Sequence, residues 1–187
     1  MAKHTTPFNS VVAAFLLAAH VCASPAFAQT EVLDRLFEEL EEAEPTTARR
    51  IESQIQTEWD KSGSAAMDLL LRRGKDALDE GEPEVAVEHF TAVIDHAPDF
   101  AEGYHGRATA YYLTGRVGPA LEDLRTTLRL NPRQFSALRG LAIILEELER
   151  PSDALEIYRR VLEINPHAPG VSEAADRLEI ELQGQTL

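Results

Sequence analysis

The chain has 187 residues, of which 44% are hydrophobic and 27% are charged, and its formal net charge at pH 7 is −14. These proportions are typical of a globular domain and exclude an intrinsically disordered chain. The negative charge disfavours binding to nucleic acid or to an anionic membrane surface, because both would be repelled.

The first 28 residues have the pattern of a secretory signal peptide. Lys3 gives a basic start, residues 11–23 form an apolar run, and residues 26–28 are a small-x-small cleavage motif. The run is shorter than the roughly 20 residues of a membrane-spanning helix, although retention as an uncleaved anchor is the alternative. We therefore predict cleavage near Ala28-Gln29 and a periplasmic or secreted mature protein.

The only cysteine, Cys22, lies in this segment. Its removal would leave a mature chain without disulfide or thiol chemistry, which suits a bacterial periplasm better than a eukaryotic extracellular space. A lipoprotein is disfavoured, because residues 19–22 match a lipobox poorly.

Residues 29–64 are predicted to form a helical hairpin. Two apolar stripes at helical spacing flank Pro45, and Ser62-Gly63-Ser64 follows the second stripe. The stripes consist of Leu33, Leu36, Phe37 and Leu40, and then of Ile51, Ile55 and Trp59. We interpret the hairpin as a degenerate repeat or as a cap on the repeat that follows. Its glutamates do not predict a metal site, because consecutive carboxylates on a helix diverge around the axis.

Residues 67–168 repeat with a period of 34 residues, which is marked by Pro98, Pro132 and Pro166. Small and large residues fall into columns at the same period. These columns are Gly74, Ala108 and Ala142; Ala86, Ala120 and Ala154; and Phe90, Leu124 and Tyr158.

These columns resemble those of the tetratricopeptide repeat family over residues 67–100, 101–134 and 135–168. The resemblance implies an all-α solenoid of three helix pairs, in which each pair buries its apolar side only against its neighbours. Residues 169–187 are predicted to form a capping helix and tail. Departures include Leu70 and Leu138 in place of tryptophan, and Arg73 and Arg107 where an apolar residue is common.

The resemblance further implies that the first helix of each repeat lines a concave groove. The candidate partner-binding residues are Leu71, Arg72, Lys75, His105, Thr109, Tyr112, Arg139 and Ile143, with Asp68, Glu102, Ser136 and Glu146 on the same side. We expect the groove to hold an extended peptide or a helix, gripped by Lys75 and Arg139 with Tyr112 supplying apolar area. The alternative is that these residues are ordinary solvated helix surface.

One subset of the family clamps the terminal carboxylate of chaperones with lysine, asparagine and arginine side chains. The corresponding residues here are Leu71, Lys75, Thr109, Ser136 and Gly140. None of the five clamp residues is retained, because Leu71 and Ser136 stand at the lysine positions and Lys75 stands at an asparagine position. The resemblance therefore does not extend to chaperone-tail binding.

The sequence does not predict an enzyme, a cofactor or a metal site. His89, His96, His105 and His167 are not spaced to chelate one metal, and no nucleophile motif or phosphate-binding loop occurs. The expected function is that of an exported adaptor for a protein partner, without nucleic acid. The alternative is a structural or self-associating subunit of a cell-envelope complex.

Overall fold

A computed structural model describes residues 25–184 and the side chains from residue 29 onward, and this part of the chain forms nine helices and no strand. The helices are α1 (Pro25–Glu41), α2 (Pro45–Trp59), α3 (Ala65–Asp79), α4 (Pro83–His96), α5 (Ala101–Leu113), α6 (Val117–Leu130), α7 (Phe135–Glu147), α8 (Pro151–Ile164) and α9 (Val171–Gly184). The all-α prediction is confirmed. The expected signal peptide lies outside the described residues, except for its last four residues, which begin α1.

Helices α3 to α8 form three successive pairs, and α9 packs against α8 at the end. Within each pair the turn has the same backbone geometry, in which a residue with positive φ follows the first helix. Gly81 and Gly115 occupy this position in the first two pairs, with φ of 78° and 71°. Glu149 occupies it in the third pair with φ of 55°, a left-handed conformation that usually favours glycine. A common turn therefore sets the direction of all three second helices.

The ring of Phe90 in α4 locks the first two pairs together. It fills the space above Gly74 of α3 and Gly106 of α5, where an added Cβ would lie 2.6 Å and 2.4 Å from the ring. Phe90 and Gly74 are buried, and so is Gly106. Glycine is needed on both sides because the ring touches the backbone of two first helices at once.

The same arrangement recurs along the array with other large side chains in place of Phe90. Leu124 of α6 packs in one apolar cluster with Ala108 of α5, and it lies 3.8 Å from the position of a Cβ on Gly140 of α7. Tyr158 of α8 lies in a cluster with Ala142 of α7, against which Ala174 of α9 packs. Each second helix thus inserts a large residue between small residues of its own pair and the next.

Arg107 stands where the sequence resemblance led us to expect an apolar residue. Its guanidinium donates two hydrogen bonds to Asp123 of α6, at 2.7 Å and 2.9 Å, and a third to Thr91 of α4 at 3.2 Å. The hydrogen bond with Asp123 raises the pKa of Arg107 and outweighs the opposing effect of burial. The arginine is therefore accommodated by partners from both neighbouring second helices.

The hairpin of α1 and α2 has an apolar core of its own. Leu36 and Leu40 of α1 pack against Ile51, Ile55 and Trp59 of α2, and all five are buried. Among the described residues, no helix is both long and apolar enough to cross a membrane.

The Phe90 contact predicts opposite effects for the same substitution at two glycines. Gly106→Ala should destabilise the fold by about 1–3 kcal/mol, because the new methyl group must displace the Phe90 ring. Gly118→Ala, in α6, should be neutral or stabilising by up to about 1 kcal/mol, because nothing lies within 4 Å of an added Cβ. Urea denaturation of the two variants checks this. Equal effects of both substitutions would contradict the role assigned to Phe90.

Candidate partner-binding groove

An open cleft of about 260 Å3 lies between the first helices of the second and third pairs, α5 and α7. Five of the predicted partner-binding residues line it: His105, Thr109 and Tyr112 from α5, and Arg139 and Ile143 from α7. They meet there because residues three or four positions apart share one face of a helix. We call this cleft the groove.

The floor of the groove is small and apolar. Ala108 of α5 and Gly140 of α7 line it, with Leu124 of α6 beneath. Because Gly140 has no side chain, the two first helices leave space between their exposed faces. Ile143 stands at the wall and is 37% exposed, which gives the groove an apolar surface for a ligand to cover.

Polar groups stand around this apolar surface. Arg139 makes no hydrogen bond or ion pair within the described part of the chain, so its charge is available to a ligand. At another part of the groove, the hydroxyl of Tyr112 donates a hydrogen bond to Glu147 of α7, which raises the pKa of Tyr112. The Oγ of Ser136 is buried and has no partner among the described residues. The groove thus combines apolar walls with unused hydrogen-bonding capacity.

The three predicted residues of the first repeat lie elsewhere. Leu71, Arg72 and Lys75 line a smaller cleft together with Asp60 and Asp68. Leu71 is only 2% exposed and packs in the apolar core, so the structure corrects its expected role as a contact surface.

The expected grip of Lys75 on a partner also needs correction. Its ammonium donates hydrogen bonds to both carboxylate oxygens of Asp60, at 2.6 Å and 2.7 Å. Asp60 directly follows α2, so the protein's own hairpin uses the lysine that was expected to bind a partner. Arg72 keeps an exposed side chain in this small cleft.

Glu102 is a buried carboxylate where the hairpin meets the repeats. It is 2% exposed, and it accepts hydrogen bonds from Gln134 at 2.6 Å and from Gln56 of α2 at 3.2 Å. His105 Nδ1 lies 3.5 Å from the same carboxylate. Burial alone would raise the pKa of Glu102, but the hydrogen bond and charge of His105, aided by Lys75 and Gln56, lower it below 4.5.

The family pattern described as tetratricopeptide repeat matches residues 71–120 and 119–169. The chain is a tetratricopeptide repeat protein. It is 33% identical over 153 residues to a TPR repeat-containing protein of Rhizobium etli, and the match covers 81% of this chain and 75% of that protein.

Solved structures share the fold of this tetratricopeptide repeat protein. The first TPR domain of Spaghetti (RPAP3), bound to the HSP90 peptide SRMEEVD, has a TM-score of 0.59 at 21% identity, covering 63% of this chain and 93% of that one. MamA has a TM-score of 0.56 at 18% identity, covering 82% of this chain and 81% of its own.

The hairpin of this repeat protein reaches well beyond the first repeat. Trp59 packs against Phe135, the first residue of α7, with ring centroids 5.2 Å apart, and Phe37 of α1 lies 6.5 Å from the same ring. Arg133, just before α7, contacts Asp34 of α1 at 2.7 Å. The hairpin therefore lies beside the start of the third repeat's first helix.

A further contact extends the hairpin to the end of the third repeat. The side-chain amide of Asn165, which follows α8, donates a hydrogen bond of 2.6 Å to Glu52 of α2. The sequence left open whether the hairpin is a degenerate repeat or a cap on the first repeat. In the structure, side chains of the hairpin contact residues of all three repeats.

Within the described residues, no group of three or more histidine, cysteine, aspartate or glutamate side chains is arranged to hold a metal ion.

The environment of Glu102 predicts a pH-dependent contribution to stability. Glu102→Gln should destabilise the protein at neutral pH by about 1–3 kcal/mol, because a charge-assisted hydrogen-bond network is lost. The folded-state pKa of Glu102 lies below its ordinary value of 4.5. The stabilisation is therefore complete above the unfolded-state pKa and disappears as pH falls through the folded-state pKa.

Urea denaturation of the wild type and the Gln variant, at neutral pH and in steps below pH 4.5, measures this difference. The free energies of unfolding should converge as the pH falls. A difference that stays constant or grows in acid would contradict the assignment.

Proposed function

We propose that this protein is an exported adaptor that binds a segment of another protein in the groove between α5 and α7. The observation that carries the proposal is the groove itself, in which exposed apolar area at Ile143 adjoins Arg139, a cation without a partner in the described part of the chain. Such a mixture of apolar surface and a few directed polar groups is typical of peptide recognition.

The ligand that suits this groove is an extended peptide or one face of a helix. An apolar side chain would lie between Tyr112 and Ile143, and a carboxylate or carbonyl oxygen would accept hydrogen bonds from Arg139. The neighbour RPAP3 was solved with a bound peptide, which supports a peptide ligand as a class. The HSP90 peptide of that neighbour is not proposed as the ligand here, because Thr109, Ser136 and Gly140 differ from the residues of the chaperone-tail clamp.

The adaptor role is preferred to catalysis because of how the polar groups of the groove are arranged. His105 lies 3.5 Å from the carboxylate of Glu102, whereas the buried Ser136 Oγ has no partner among the described residues. A nucleophile activated by a base needs a hydrogen bond between the two groups. Ser136 and His105 form no such hydrogen bond, so we do not assign them a catalytic role.

Export is part of the proposal and rests on the signal-like residues 1–28. It is tested by N-terminal sequencing of the protein recovered from its native compartment. A chain that begins at Gln29 is the expected result, and a chain that retains residues 1–28 would contradict cleavage.

The groove is tested with a displayed library of random peptides selected on the full chain. Peptides that bind the wild type should lose at least about tenfold in affinity, or about 1.4 kcal/mol, when Ile143→Asp places a charge on the groove wall. Leu113→Asp is the matched control, because Leu113 is 58% exposed and does not line the groove. Fluorescence anisotropy with a selected peptide measures both variants. Equal losses, or no loss at Ile143, would overturn the groove as the binding site.

A further inference from the structure

We infer that the surface beneath the α1–α2 hairpin continues the partner-binding groove, and that the hairpin is a displaceable occupant of it. A partner helix that presents an aromatic side chain flanked by carboxylates would bind in its place. This inference rests on the proposed function, because it names a class of partner and a form of regulation for the same surface.

The hairpin meets the repeats through an aromatic anchor with a polar surround. Trp59 is 6% exposed and lies against the ring of Phe135, and Phe37 packs against both rings at 6.0 Å and 6.5 Å. Around these rings, Asp34, Glu52, Gln56 and Asp60 of the hairpin form hydrogen bonds or ion pairs with the repeats. A buried aromatic centre with a polar rim is the anatomy of an interface between proteins.

Acidic groups of the hairpin meet hydrogen-bond donors of the repeats at three separate places. Asp60 pairs with Lys75 of α3, Asp34 pairs with Arg133 before α7, and Glu52 accepts from Asn165 after α8. The two ion pairs are each between 33% and 53% exposed. Pairs this exposed contribute little to stability, so the carboxylates of a partner could compete for the same donors. They define the chemistry that a competing helix must present.

Release of the hairpin does not leave the buried carboxylate of Glu102 without hydrogen-bond partners. The carboxylate would lose Gln56 of α2, but it keeps the hydrogen bond from Gln134 and the neighbouring His105. Water reaching the uncovered oxygen would replace the missing amide. The hairpin can therefore leave the repeats, and the Glu102 carboxylate still has hydrogen-bond partners.

The covered surface is continuous with the groove. Ser136 and Arg139 line the groove on one side, and on the other side they line a cleft of about 160 Å3 that also contains Glu52 of α2. A ligand that extends past Arg139 in this direction meets α2. A long ligand must therefore displace the hairpin to occupy the whole surface.

A short connection joins the hairpin to the repeats and provides a pivot. Gly63 has a φ of 81° and no atom within 4 Å of an added Cβ. Ser62 donates hydrogen bonds from its backbone nitrogen and hydroxyl to Asp68 at 2.8 Å and 2.5 Å, and the backbone nitrogen of Ser64 donates to the Ser62 hydroxyl at 3.1 Å. Gly63 therefore lies between two anchored serines and is the residue about which the connection can turn.

The test uses the full chain and a fluorescent synthetic peptide of residues 29–61 as the probe. The release variant is Asp34→Lys with Asp60→Lys, which changes only the hairpin and leaves the surface beneath it intact. The control is Glu38→Lys with Glu39→Lys, which has the same charge change on exposed residues of α1. Trp59 is the only tryptophan of the chain, so its emission, recorded before the probe is added, reports whether the hairpin has left Phe135.

The release variant should show red-shifted Trp59 emission. It should also bind the probe at least about tenfold more tightly than the control variant, because its own hairpin covers the surface in a smaller fraction of the molecules. A probe carrying Trp59→Ala should bind weakly to both. If the release variant does not fold, the variant Trp59→Ala of the full chain replaces it, with the same expected gain in probe affinity and with hydrogen exchange of α2 as the readout of release.

Unchanged emission in the folded release variant would show that the hairpin is not displaceable. Release without tighter probe binding would show that the covered surface does not accept such a helix. Either result overturns this inference, while the proposed function survives if library peptides still bind in a manner that depends on Ile143. Failure of both the probe and the library peptides would overturn both.

Discussion

The architecture depends on one packing constraint: the large side chain of each second helix must fit between small residues of two successive first helices. At Phe90 the fit allows no side chain at all on Gly74 or Gly106. At Leu124 and Tyr158 the large residue is accompanied by alanines and Gly140. No pair can bury these residues without its neighbour, so the repeats stack and their first helices form a common face. The groove exists because this stacking brings α5 and α7 side by side.

The stacking was predictable from the sequence because it is written as columns of small and large residues at a fixed period. The five residues that line the cleft between α5 and α7 were predictable from the family resemblance, which implies that the first helix of each repeat faces a concave groove. The place of the hairpin was not predictable. It depends on contacts such as Glu52 with Asn165, which are 113 residues apart and belong to no periodic pattern. The pairing of Lys75 with Asp60 followed from that placement and was missed with it.

The hairpin and the groove together give the protein a surface that its own chain partly occupies. The acidic side chains of the hairpin meet donors from the first repeat to the end of the third, whereas Arg139 and Ile143 remain open to a ligand. Burial of Glu102 beneath Gln56 joins the two regions, because the carboxylate is close to groove residue His105 and also contacts α2. Recognition of a partner and movement of the hairpin are therefore expected to be coupled.

The measurement that tests this account most directly is the proximity of the Trp59 and Phe135 rings in solution. Because the chain has a single tryptophan, its indole protons can be assigned without ambiguity in the NMR spectrum of the full chain. The account predicts nuclear Overhauser contacts from the indole to the ring of Phe135, whose centroid lies 5.2 Å away. Contacts from the indole only to residues within α1 and α2, with none to Phe135, would show that the hairpin does not lie against the repeats and would contradict the account.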